Sequence, residues 1–316
     1  MAAISQAGAA RASTFSPVGF VTRRPLAAYF ALAYAGAWLA VLPLLLSRTG
    51  LGLLPVTLPV LPFIVLGALA GPALAAFLVT AATAGRAGVR DLLRRCGRWR
   101  VGAGWYLLIV VGPVLVLTLA ASPFFGAGAL RALARQWPLL FSLYLPAIAV
   151  GALTGPIFEE PGWRGFALPR LQARLGPLRA SLLLGLLWGL WHLPGFAGGW
   201  LAPFSPLSLA GLLLGAMGFS VVATWVYNRT RGSVLLAGIL LHAASNAATS
   251  LGGQLLPPEM PAWVHALVYA SGIGAIAYGA CAVLLALWTR GRLGYRAGGE
   301  AGAVSAAPGA AERALA

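Results

Sequence analysis

Two glutamates stand side by side at positions 159 and 160, followed by Pro161, Gly162, Trp163 and Arg164. They are the only acids between Asp91 and Glu259. On a continued helix Glu160 and Arg164, four residues apart, share a face and pair. Glu159 then points about 100° away and stays free for another role. Two histidines join them from other segments. His192 closes the run Trp188-Gly189-Leu190-Trp191-His192, and His242 precedes Asn246 by one helical turn. A carboxylate, two imidazoles and an amide suit hydrolysis. The carboxylate takes a proton from water, and one imidazole shares that proton or orients the water. The second imidazole and the amide donate hydrogen bonds to a carbonyl oxygen as it gains charge. Glu159, His192 and His242 also have the donor types for one divalent metal such as zinc, each from a different helix. Neither a bare glutamate mechanism nor a metal-activated water is excluded by these residues. A Ser-His-Asp or Cys-His set does not stand out, and His-Glu-x-x-His is missing.

These side chains need elements that bring them together, and the composition says what those are. Of 316 residues 60% are apolar and 9% charged, with a mean hydropathy of +0.86. A soluble domain carries about 25% charged residues. That excludes an ordinary soluble globule, a disordered chain and a fibrous repeat. The expected class is all-α: a polytopic membrane bundle of about eight transmembrane helices. Apolar segments long enough to cross a bilayer run over 25–47, 57–83, 105–122, 138–158, 180–200, 206–227, 233–252 and 262–288. They are too long and too continuously apolar for the strands of a β-barrel.

The net charge of +16 comes from 22 arginines, with no lysine, against six acids. The arginines sit in short breaks between apolar runs, so they argue for a membrane and not for nucleic acid. With the N-terminus cytoplasmic, 19 of the 22 fall on the cytoplasmic side, and both termini are expected there, in a multi-pass cell-membrane protein. In that orientation the fifth and seventh segments run the same way. His192 and His242 then lie roughly 18 and 14 Å deep, close enough for one layer. Glu159 reaches that layer only if its helix continues well past Pro161, in a cavity opening to the cytoplasm. His265 starts the last segment and reads as interfacial.

One membrane domain is expected over 23–290, with a motif core at 138–250. Residues 1–22 and 291–316, rich in small residues, read as disordered cytoplasmic tails. The run after Arg23-Arg24 is too long for a signal peptide and reads as an anchor. Cys96 and Cys281 are far apart, so no disulfide is expected. Gly67-x-x-x-Gly71 and Gly211-x-x-x-Gly215 read as packing faces within the bundle.

The three polar blocks resemble the motifs of the CPBP family, which holds type II CAAX prenyl endopeptidases and related bacterial intramembrane proteases. The family pattern is Glu-Glu-x-x-x-Arg, Phe-x-x-x-His and His-x-x-x-Asn. Here it reads Glu159 to Arg164, Trp188 to His192 and His242 to Asn246, with Trp188 where the pattern has phenylalanine. Both are aromatic, so this departure leaves the chemistry as it is. The resemblance covers about residues 138–250. It implies an eight-helix bundle with a conical cavity towards the cytoplasm. It also implies Glu159 as general base acting with His192, His242 and Asn246 as the oxyanion site, and Glu160 and Arg164 shaping the pocket. The implied substrate is a membrane-associated peptide or protein. Two other readings compete. A non-catalytic binding or immunity protein on the same fold would have no need of Glu159. A proton-coupled transporter would show two similar halves, and the sequence shows none.

Overall fold

The computed structural model describes residues 17–201, 203–255 and 272–297. Most of both expected tails, and His265, lie outside them. Every regular element among the described residues is helical. Six helical stretches are long and apolar enough to cross a bilayer: Pro25–Leu46, Val60–Cys96, Ala103–Phe125, Pro177–Ala197, Pro206–Arg229 and Leu235–Leu255. A seventh, Gly128–Arg135 with Leu140–Thr154, is bent by 77°. The last expected segment is described over Gly272–Trp288, an apolar helix of 17 residues. The chain is a polytopic helical bundle.

In chain order the elements that matter for the site are as follows. α1 (Pro17–Arg23) leads into α2 (Pro25–Leu46). The second span is α3 (Val60–Ala68), a π-helical turn at Leu69–Ala73 and α4 (Leu74–Cys96). After α5 (Ala103–Phe125) and α6 (Gly128–Arg135) comes a π-helical turn at Leu140–Tyr144, which leads into α7 (Leu145–Thr154). α8 (Pro156–Glu160), a π-helical turn at Pro161–Ala167 and α9 (Leu168–Leu175) carry the first motif. α10 (Pro177–Trp191) and the short α11 (Leu193–Ala197) flank His192. α12 (Pro206–Arg229) is followed by a π-helical turn at Leu235–Leu240 and α13 (Leu241–Leu255). Gly272–Trp288 is α14.

The fourth span departs from the expected straight 138–158 helix. It breaks at Gly155, whose φ of −145° and ψ of −71° are not helical. Pro156 then opens a new helix at its first turn, where a missing N–H costs nothing. That helix runs on through Pro161. A proline inside an α-helix crowds the carbonyl four residues back, and here the backbone widens into the π-helical turn. All seven residues of that turn are buried. Arg164 therefore lies inside the protein, apart from the arginines in the breaks between apolar runs.

Glycines set the close approaches. A Cβ at Gly162 would lie 2.5 Å from the Tyr29 hydroxyl and 2.6 Å from the Pro72 carbonyl oxygen. Only glycine lets the motif helix sit against α2 and the Leu69–Ala73 turn. Gly67 and Gly71 meet α2, and Gly215 faces α14, so both glycine pairs pack within the bundle as expected. Cys96 and Cys281 are free.

Candidate active site

Glu159 and Glu160 occupy the end of α8 and are 7% and 0% exposed. The Glu160–Arg164 pair forms as the spacing predicts: Arg164 Nη1 donates to Glu160 Oε1 at 2.9 Å, both side chains fully buried. The guanidinium also lies 4.8 Å from the Trp188 ring centroid and 5.2 Å from that of Phe219. It is thus held by an anion on one side and two aromatic rings on the other, which offsets its removal from water.

Glu160 has a second partner that the sequence did not reveal. His242 Nδ1 lies 3.0 Å from the same Oε1. A carboxylate only accepts, so Nδ1 carries the hydrogen and Nε2 is the atom left for chemistry. His242 sits one residue into α13, directly after the π-helical turn Leu235–Leu240. Within that turn Gly238 lies against Glu160. A Cβ there would be 2.7 Å from Oε2 and 2.8 Å from the glutamate Cβ. The lack of a side chain at Gly238 is what lets α13 bring His242 onto the carboxylate.

Glu159, turned away from that pair, accepts a hydrogen bond from the Trp188 indole at Oε2, 2.9 Å. The expectation that tryptophan here is only an aromatic equivalent of phenylalanine therefore needs correction. Phenylalanine has no N–H to give. The same indole packs edge-on to His242, with centroids 5.0 Å apart, and to His192, at 5.6 Å. Its own carbonyl is 2.9 Å from His192 Nδ1. A carbonyl also only accepts, so His192 Nδ1 donates and its Nε2 is free as an acceptor.

His192 falls between α10 and α11. Pro194 has no N–H to give the Leu190 carbonyl four residues back, and α10 ends at Trp191. The last carbonyls of α10 are satisfied from α2: the Tyr34 hydroxyl donates to Leu187 O at 2.5 Å and Trp38 Nε1 to Trp191 O at 3.0 Å. A helix outside the motif region thereby fixes where His192 sits. Sequence reasoning missed this, because two aromatics in an apolar run carry no local signal. Trp188 thus touches Glu159, His192 and His242 at once. The fourth expected residue, Asn246, is exposed one turn beyond His242. Glu159 is nearly closed off and His192 is partly exposed, and no side-chain hydrogen bond joins Asn246 to them among the described residues. Among the described residues no three His, Cys, Asp or Glu side chains converge as a metal-binding set. The alternative ligand trio of Glu159, His192 and His242 does not have that geometry.

Residues 141–248, which contain all these groups, match a family model described as "Type II CAAX prenyl endopeptidase Rce1-like". This stretch of the chain is similar to that family. A relative in Methanococcus maripaludis named "CAAX prenyl protease 2" is 32% identical over 114 residues, covering 34% of this chain. The alignment spans 38% of that relative's own length. The matched segment begins within the Leu140–Tyr144 turn and ends within α13. It leaves out α2, whose Tyr34 and Trp38 hold α10.

Proposed function

We propose that the protein is an intramembrane endopeptidase in which Glu159 activates a water against a peptide bond of a membrane-associated peptide or protein. The observation that carries this reading is that Trp188 holds both groups, its indole on the buried Glu159 carboxylate and its carbonyl on His192 Nδ1, which leaves Nε2 as an acceptor. In this mechanism Glu159 takes the water proton, and His192 Nε2 orients the water. His242 donates from Nε2 to the carbonyl oxygen as it gains charge, joined by Asn246. To donate from both nitrogens His242 acts as imidazolium, and Glu160 is its counter-charge. Arg164 donates to the same carboxylate, so the two cations stand against the two glutamates, Glu159 and Glu160. Asn246 has no side-chain hydrogen bond among the described residues, so its amide is available to a substrate. The tetrahedral intermediate collapses as the proton passes from Glu159 to the leaving amine.

The reading places both termini in the cytoplasm of a cell-membrane protein, supported by the 18 of 22 arginines that stay on one side once the buried Arg164 is set apart. The name of the methanococcal relative makes peptides prenylated near the C-terminus the first class to test, with plain membrane peptides beside them. The experiment is cleavage of fluorogenic peptides of both kinds by the purified protein, with Glu159→Gln and His192→Ala as controls. Cleavage abolished in both variants supports the proposal. Cleavage equal to wild type in both would refute it and favour a binding protein on the same fold.

A further inference from the structure

The second span breaks once more, at Gly85. Gly85 adopts φ +59°, ψ −159° inside α4, a conformation that separates Leu74–Ala84 from Arg86–Cys96. At about 1.5 Å per residue, Val60 to Gly85 covers roughly 38 Å, enough to cross a hydrocarbon core of about 30 Å. The break therefore falls where the helix leaves the membrane. It leaves an elbow with a concavity of about 410 Å³, lined by Ala81, Gly85, Arg86, Val89 and Arg90.

Two features give the elbow a specific chemistry. The first is its guanidiniums. Arg94 and Arg95 are both paired with Asp91, at 2.7 and 2.9 Å. Arg98 donates to the Arg231 carbonyl, and Arg100 lies 5.2 Å from the Trp99 ring centroid. Arg86 and Arg90 are exposed and have no acceptor among the described residues. The two unengaged cations of this segment are the two that line the concavity. The second feature is the apolar track that leads to it. Leu74, Leu78, Ala81 and Gly85 are exposed and recur at helical spacing along one face of α4. That face has no partner among the described residues and, on a membrane-spanning helix, is the face left for lipid.

We infer that the Gly85 elbow is a binding site for an anionic phospholipid, with the phosphate held by Arg86 and Arg90 and an acyl chain lying along Leu78 and Leu74. Arginine forks match phosphate oxygens in pairs, and arginines at a membrane surface attract anionic headgroups. The small Ala81 and Gly85 leave room for the glycerol region. A free anion would use the two cations but not the apolar track.

The test is native mass spectrometry of the purified full-length protein, incubated with equal phosphatidylglycerol and phosphatidylcholine. Wild type is expected to retain phosphatidylglycerol preferentially. Arg86→Gln/Arg90→Gln is expected to lower that retention about 3- to 10-fold, in line with loss of charge-assisted hydrogen bonds to phosphate. Ala81→Trp, which fills the concavity and keeps the charge, should lower it too. The control Arg290→Gln/Arg292→Gln removes the same charge from another exposed stretch and should leave retention unchanged. Equal retention in wild type and the Arg86/Arg90 variant would overturn the inference. So would an equal drop in the control, which would mean diffuse attraction. Displacement of the lipid by millimolar inorganic phosphate would overturn it as well, by showing an anion site with no use for the acyl track.

Discussion

Replacing Trp188 with phenylalanine tests whether the indole N–H holds Glu159 in its working position. The ring contacts with Arg164 and His242 largely survive, and the 2.9 Å bond to Oε2 is lost. A hydrogen bond to a charged group contributes about 1.5–3 kcal/mol. At about 1.4 kcal/mol per factor of ten, that corresponds to a loss of roughly 10- to 100-fold. The bond orients the group that takes the proton and touches no part of a substrate. The loss should therefore appear in kcat, with KM nearly unchanged. Phenylalanine is smaller than tryptophan, so packing is lost as well. A second variant carrying 3-benzothienylalanine at 188, with sulfur in place of N–H, keeps the shape and removes only the donor. The assay is steady-state cleavage of a fluorogenic membrane peptide in detergent, with melting curves run in parallel. If both variants keep the wild-type kcat while Glu159→Gln is inactive, the indole has no positioning role. If wild type cleaves nothing, the fault lies with the proposed activity and not with Trp188.

Other outcomes follow from the same geometry. Arg164→Met leaves Glu160 buried without its guanidinium, at a cost of about 3–5 kcal/mol; a clear fall in Tm in detergent is expected, and an unchanged Tm would count against a buried pair. Gly238→Ala puts a methyl group 2.7–2.9 Å from Glu160 and should reduce cleavage at least about tenfold by moving His242 off the carboxylate. Gly112→Ala, on α5 with nothing within 4 Å, should be silent, and equal effects at the two glycines would undo that argument. Dialysis against EDTA should leave cleavage unchanged, because the donor trio does not converge; a loss restored by added zinc would require a different site geometry.

How much of this the sequence could carry depends on distance along the chain. The Glu160–Arg164 pair was readable because both ends lie within one helical turn. The continuation of the helix past Pro161 was readable because the chemistry demanded it. The contact of Glu160 with His242 crosses 82 residues, and nothing local announces it. The same holds for Tyr34 and Trp38 capping α10. These helices are apolar nearly all round, so no stripe of periodicity says which face meets which neighbour. The break at Gly155 was missed because the apolar run is continuous through it. Trp188 was assessed by its ring, and only the packed structure shows that its nitrogen matters. Conversely, the adjacency of two acids in a chain with so few was enough to point to the candidate site.

The π-helical turns carry a consequence of their own. Each holds one residue more than an α-helical turn would, so the halves of a span on either side of it are out of phase by about 100°. In Leu235–Leu240 that offset decides which side chain of α13 faces Glu160. Deleting a single residue there, such as Ala237, would leave hydropathy and span length almost the same. Yet it would rotate α13 by about 100°, carrying His242 towards the outside of the bundle and another side chain into its place. For this chain, insertions and deletions in a few widened turns are a more severe change than most substitutions, and a spliced or grafted span works only if it keeps the odd residue.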